Sequence, residues 1–290
     1  MEPPYPSLTS TWHNDVYPAI EYTNPSLNHK GETVVITGAG SGIGRETAIA
    51  FATAGAKHLV LVGRNISKLK ETESLASKAN VDIGVSVFAT DVTDEIAVKK
   101  VADSIVSWNV LVHCAGCIHT PMPVVQADIQ DYWASYEANV KSTIVLVKYL
   151  LPKANPMNAA VLCMIAGAVS FPTKMLVGMS GYLASKLAVS KTMEFLAHEN
   201  PDIFFASIHP GTVDTDIFRK SGATPDMMPM DTPQLAAGFS LWVSKPEARF
   251  LNGKTLWSNW DVDELKGMQE EISSGTKLTY GLNGWPFSAT

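Results

Sequence analysis

A chain of 290 residues that is 46% hydrophobic and 17% charged is excluded from the disordered and fibrous classes and is long enough to bury one large core. Its 28 acidic residues exceed the 22 basic ones, and the net charge of −6 argues against a nucleic-acid backbone as partner. Three cysteines, Cys114, Cys117 and Cys163, are too few and too odd for a disulfide framework. The start lacks a signal-like pattern and no run approaches the ~18 apolar residues of a membrane span, so the expectation is a cytoplasmic protein with free thiols and no membrane association.

Residues 1–30, rich in Pro, Tyr, Asn and Ser, read as an irregular arm wrapping the domain surface. Residues 31–262 then alternate short β-branched runs with longer helical patterns, the signature of βα units and a parallel sheet covered on both faces. The predicted strands are 33–37, 59–63, 85–89, 110–113, 160–165, 203–209 and 254–256. The predicted helices are 43–54, 67–79, 96–107, 129–151 and 182–199. Residues 214–233, TDIFRKSGATPDMMPMDTP with its flanking Asp214, interrupt the periodicity and read as a flap over a pocket, the alternative being an ordinary long connection. Residues 263–290 form a C-terminal tail that would close a pocket or pack on a partner subunit.

The first strand runs into Gly38, Gly40, Gly42 and Gly44 and then into a helix. Glycines at that turn let backbone N–H groups approach a pyrophosphate, and the helix dipole favours its charge. The fold class is therefore α/β, a single doubly wound Rossmann domain with a seven-stranded parallel sheet. The second strand ends in Gly63 and Arg64 with no acid at its tip. An acid there would bind the ribose hydroxyls of NAD, whereas Arg64 pairs with a 2′-phosphate, which favours NADP over NAD; the competing reading is an exposed Arg on a surface turn.

The run HCAGCIH brings His113, Cys114, Cys117 and His119 together. Structural zinc sites draw ligand pairs from separated segments, and strand alternation sends His113 and Cys114 to opposite faces, so no metal is expected. Ala115 and Gly116 instead read as backbone passing close to a cofactor. Tyr182 and Lys186 lie four residues apart, on one face of a helix. An ammonium beside a phenol favours the phenolate, which would make Tyr182 a usable acid or base.

These motifs together resemble those of the short-chain dehydrogenase/reductase superfamily over residues 30–263. Thr37-Gly38-Ala39-Gly40-Ser41-Gly42-Ile43-Gly44 is similar to its TGxxxGIG, Asp91-Val92 to its adenine-contacting pair, and His113-Cys114-Ala115-Gly116 to its NNAG. Asn139, Tyr182-Leu-Ala-Ser-Lys186 and Pro210-Gly211-Thr212-Val213-Asp214-Thr215 follow in the family's order. WHNDVYPAI and WSNWDVDEL resemble a filamentous-fungal branch, which implies small-molecule secondary metabolism. The resemblance implies an oxidoreductase interconverting a carbonyl and a secondary alcohol, with hydride from NADPH and a proton from Tyr182. Lys186 would hold the nicotinamide ribose, Asn139 a relay water, and Val213 and Thr215 the carboxamide. It also implies a homodimer or homotetramer packed through helices 129–151 and 182–199.

One departure stands out. The family places a serine after the fifth strand, but here Ile165, Ala166 and Gly167 carry no hydroxyl. Counting back from Tyr182 makes Ser170 the candidate, while counting forward from the strand makes the position an alanine. Ser180 reads as a helix cap. The missing serine motivates an alternative from another class, a redox-silent scaffold serving as an isomerase, cyclase or cofactor-binding protein.

Overall fold

Val34, Val35 and Ile36 are fully buried, and so are Leu59, Val60 and Leu61. Apolar burial on both sides of consecutive residues is what a central parallel strand requires. In the computed structural model, which describes residues 2–282, the strands are β1 (Thr33–Thr37), β2 (His58–Gly63), β3 (Gly84–Ala89), β4 (Val110–His113), β5 (Ala160–Met164), β6 (Phe204–His209) and β7 (Lys254–Trp257). They form one seven-stranded sheet in the order β3-β2-β1-β4-β5-β6-β7, with every ladder parallel. The seven-stranded doubly wound fold expected above is the fold observed.

The helices are α1 (Gly42–Thr53), α2 (Ile66–Ala79), α3 (Glu95–Asp103), α4 (Ile129–Tyr136), α5 (Ser142–Leu150), α6 (Ser180–Glu199), α7 (Asp216–Lys220), α8 (Pro233–Val243), α9 (Val262–Gly267) and α10 (Gln269–Ser273). Val34 and Ile36 share a core with Phe51 of α1, Leu69 of α2 and Phe239 of α8. Val35 and Leu111 face the opposite core, with Val101 of α3, Leu146 of α5 and Met193 of α6. After β3 the chain crosses to the other side of β1 and continues outward from β4. The strand order therefore reverses between β1 and β4, and a crevice opens at their carboxyl ends, where doubly wound sheets bind ligands. No helix among the described residues is long and apolar enough to cross a membrane.

The single helix expected over 129–151 is divided. Residues Glu137–Lys141 form a π-helical turn between α4 and α5, because the Asn139 side chain is pulled onto the backbone of Cys117 by two hydrogen bonds. An extra residue per turn is the geometry that such a pull produces. The helix expected to reach 107 ends at Asp103, where the Ser104 hydroxyl turns back to the Val101 carbonyl.

The arm is seated rather than loose. Ile20 and Leu27 are fully buried, Trp12 forms an antiparallel bridge with Trp260, and Ser10 and Thr11 donate to the Glu264 carboxylate at 2.6–2.9 Å. Burial alone would raise the Glu264 carboxyl, but these hydrogen bonds outweigh it and bring the group down to about 2. The described part of the tail lies along the open edge of β7, where Thr255 N–H donates to Leu278. Tyr280 N–H donates to Glu194 of α6. The final run NGWPFSAT lies outside the described residues.

Candidate active site

Gly38 has φ +66° and packs so tightly that a Cβ would lie 2.7 Å from the Ala115 nitrogen. The β1–α1 turn and the strand-four loop thus meet backbone to backbone. Ser41, at the N-cap of α1, is extended and makes no side-chain cap bond. The first-turn N–H groups are left to the crevice, which is how a helix start receives an anion. Gly38, Ser41, Gly42, Ile43 and Gly44 line one wall of this crevice. Cys114, Ala115 and Gly116 form its floor, with Val92 and Arg64 at one end and Thr215 opposite.

Arg64 is exposed, and its charge helps lower the Asp91 carboxyl, after burial, which opposes the shift, and the Thr93 hydrogen bonds, which favour it. Lys68 also lines this end. The sequence signal for it was the position one turn into α2, where Asn65 caps the helix by accepting from the Lys68 N–H at 3.0 Å. Two cations thus flank this end of the crevice, not one. Asp91 accepts from Thr93 N–H and Oγ1 in a tight turn, which sets Thr90 and Val92 on the crevice wall.

Two of the residues expected to carry chemistry, Asn139 and Lys186, converge beneath Gly116. A Cβ there would fall 2.8 Å from Asn139 Oδ1 and 3.2 Å from Lys186 Nζ, so only glycine lets the floor rest on them. Lys186 is buried and donates to the Met164 carbonyl at 2.8 Å, and its Nζ lies 5.9 Å from the Tyr182 ring centroid. Burial pushes the Lys186 ammonium down and, with a smaller push from Cys117, the Tyr182 phenol up. With no cofactor bound, the protonated phenol is the stable form at neutral pH. Asn139 accepts from Cys117 N–H and donates to the Cys117 carbonyl and to Ser185 Oγ. Its whole amide is spent on holding the floor loop against α6.

His113, which stands where the family pattern has asparagine, is fully occupied. Ser142 Oγ donates to the Ala138 carbonyl at 2.6 Å, so it must accept from His113 Nε2 at 2.9 Å. His113 Nδ1 is then unprotonated and accepts from Thr37 Oγ1 at 2.6 Å, while Thr37 Oγ1 accepts from Ala115 N–H. This directional chain runs from the crevice floor to the π turn and requires a neutral imidazole. Burial, reinforced by the Lys186 charge, holds the His113 pKa down to about 3. His119 is engaged elsewhere, with Gly178 O at 3.0 Å, and burial raises the Cys114 and Cys163 thiols to about 12 and 11. No cluster of metal-ligating side chains occurs among the described residues.

Ser170 has a different neighbourhood from the one a catalytic serine needs. It is the exposed last residue of a 3-10 turn, and its hydroxyl faces Tyr280 of the tail at 3.3 Å. The turn swings it outward because Gly167 is pinned under His209 and Trp257. Replacing it, Ser170→Ala, should leave turnover within about twofold, since a part-exposed hydroxyl pair contributes little; a loss of tenfold in kcat would return Ser170 to the site. Of the Pro210 loop, Asp214 and Thr215 reach the crevice, Thr215 leaning on Gly42. Pro210, Gly211 and Val213 are buried behind it. Within the expected flap, α7 is clamped by a two-pronged Asp214–Arg219 pair and by Lys220 to Asp131 of α4 at 3.4 Å.

The model of the family described as short chain dehydrogenase matches residues 32–226. A short chain dehydrogenase/reductase from Claviceps purpurea is 34% identical over 284 residues, covering 96% of this chain and 94% of its own. The short chain dehydrogenase mpl6 of Monascus purpureus is 32% identical, covering 96% and 98%. Among solved structures, a dehydrogenase/reductase from Sinorhizobium meliloti superposes with a TM-score of 0.72 at 22% identity, covering 80% of this chain and 95% of its own. A chain from Shigella flexneri, solved as a complex with NADP, gives 0.70 at 23%, covering 81% and 99%. The glycine turn and the floor loop line one crevice, Lys186 lies against its floor at Gly116, and the chain, which matches along nearly its whole length, belongs to the short-chain dehydrogenase/reductases, oxidoreductases that use NAD or NADP.

Proposed function

We propose that the protein is an NADP-preferring reductase that interconverts a carbonyl and a secondary alcohol on a small molecule. The observation that carries this reading is the closure at Gly116, where the floor of the dinucleotide crevice rests on Lys186 and Asn139 with no room for a side chain. The cradle fits the cofactor: glycine walls that a Cβ would fill, open N–H groups at the start of α1, and Arg64 and Lys68 at one end. When bound, NADPH supplies the hydride. Gly38, Ser41, Ile43 and Gly44 would receive the pyrophosphate, Asp91 and Val92 the adenine, and Cys114 to Gly116 would pass beneath the ribose. Pro210, Gly211, Val213 and Thr215 would bracket the carboxamide.

Tyr182 then donates its phenolic proton to the substrate oxygen in reduction and takes one back in oxidation. Lys186 supplies the charge that makes the exchange reversible, and it also holds the nicotinamide ribose. Asn139 keeps the floor beside that ammonium. Because the Asn139 side-chain amide is committed, a relay water behind Lys186 would have to share the Asn139 backbone carbonyl with the Thr143 hydroxyl. The exposed apolar residues Ile129, Trp133 and Ile144 on α4 and α5, with Leu187 and Phe195 on α6, suit an assembly of two or four copies in the cytoplasm. The fungal relatives suit secondary metabolism.

The cofactor reading is tested by titrating the protein with NADPH and NADH in parallel. Tight, NADPH-selective binding is expected, and Arg64→Asp should weaken NADPH by about 10–100-fold, the value of a two-pronged charged contact, while sparing NADH. Unchanged NADPH affinity would leave Arg64 as a surface residue. The absence of any hydroxyl on Ile165, Ala166 and Gly167 favours a second reading, a redox-silent isomerase, cyclase or cofactor-binding protein. It would bind cofactor but oxidise no NADPH against any carbonyl in a screen.

A further inference from the structure

The loop that follows β6 is held from behind by a single carboxylate. Asp231 Oδ2 accepts from the Thr212 N–H at 2.6 Å, and Asp231 N–H returns a bond to the Thr212 carbonyl at 2.8 Å. The other oxygen, Oδ1, accepts from Asn14 Nδ2 at 2.6 Å and from Asn259 Nδ2 at 2.9 Å. Three stretches of chain far apart in sequence therefore meet on Asp231: the N-terminal arm, the β6 loop and the segment after β7. Gly211 makes the approach possible. It has φ +87°, and a Cβ on it would lie 2.6 Å from Asp231 Oδ2.

The two amides show how strongly the carboxylate dictates this arrangement. Asn14 Oδ1 and Asn259 Oδ1 are both buried with no hydrogen-bond partner among the described residues. Turning either amide over would satisfy neither, because it would set an oxygen against the carboxylate. The backbone completes the brace. Thr232 N–H donates to the Asn14 carbonyl at 2.9 Å, and Asn259 Nδ2 also donates to the His13 carbonyl at 2.9 Å.

We propose that Asp231 is a positioning residue for the nicotinamide half of the cofactor: it fixes residues 211–213, and through them Thr215, and it uses the N-terminal arm as its abutment. The inference rests on the cofactor reading above and goes beyond it. The arm becomes part of the active-site architecture although none of its residues lines the crevice. The adenosine half, held by Arg64, Val92 and the glycine turn, does not depend on Asp231.

That asymmetry supplies the test. Wild type, Asp231→Asn and Asn14→Ala are titrated calorimetrically with NADPH and with 2′-phospho-ADP-ribose, which carries the adenosine half and pyrophosphate but no nicotinamide. Asp231→Asn should weaken NADPH about tenfold, as expected for losing a charge-assisted acceptor, and leave 2′-phospho-ADP-ribose within twofold. Asn14→Ala should move the two ligands the same way with a smaller amplitude, and it decides the matter alone if Asp231→Asn does not fold. Equal losses for both ligands would reduce Asp231 to a general structural role and overturn the proposal, as would unchanged NADPH affinity. If wild type binds neither ligand, the cofactor reading itself fails and Asp231 has nothing to position.

Discussion

Replacing Tyr182 with phenylalanine should lower kcat by about 10³-fold, within the range that a positioned general acid supplies, while leaving the NADPH dissociation constant within twofold. The hydroxyl is the only group removed, and it lies on a residue that is 9% exposed, in a place where burial keeps the phenol protonated. A protonated donor is what reduction needs. The measurement is loss of NADPH fluorescence with a carbonyl found by screening the wild type, alongside a binding titration of the variant. Turnover retained above about a tenth would move the proton donor elsewhere, and lost binding would show that the hydroxyl holds the cofactor rather than delivering a proton.

Gly44→Ala should lower the melting temperature by about 5 °C, and here two effects oppose each other. Inside a helix alanine is favoured over glycine by ~1 kcal/mol, so propensity alone predicts stabilisation of α1. A Cβ at Gly44, however, would fall onto the carbonyl oxygen of Gly38 and within 2.8 Å of its carbon. Both partners are backbone, and neither can rotate away. Overpacking of this kind costs about 3 kcal/mol, which outweighs the propensity gain and corresponds to roughly 5 °C in a chain of this length. Gly267→Ala is the control, since nothing lies within 4 Å of its Cβ position. Scanning calorimetry of the two variants decides it; a stabilised Gly44→Ala would mean that β1 and α1 can separate freely, and the rigid anion-binding turn would have to be abandoned.

Legibility in the sequence followed the range of the interactions involved. All seven strands lie within a residue of their expected bounds, because runs such as Val34-Val35-Ile36 are buried on both faces and leave no other reading. The glycine turn and the Tyr182–Lys186 pair were equally local. The π turn was not: Glu137–Lys141 looks like ordinary helix until Asn139 bonds to Cys117, 22 residues earlier. The convergence of Asn14 and Asn259 on Asp231 spans 217 and 28 residues, and no pattern within a window announces it. Ser170 was ambiguous for the same reason, its orientation being set by Gly167 against His209 and Trp257 rather than by its distance from Tyr182.

The seating of the arm has a temporal side. Its partners Trp260 and Glu264 leave the ribosome long after Ser10 to Trp12, the Ser10–Glu264 contact spanning 254 residues. Throughout synthesis the arm must wait undocked, and the aromatic face it will cover, Phe171 and Trp257 against Tyr5 and Trp12, stays bare until the closing segment emerges. A nascent chain interrupted before residue 259 would hold most of its sheet but would lack the Asn259 amide on Asp231 and the Trp260 and Glu264 contacts that seat the arm over that face. It would therefore be a ready client for a chaperone, and the bracing of the loop after β6 is completed only once Asn259 has emerged.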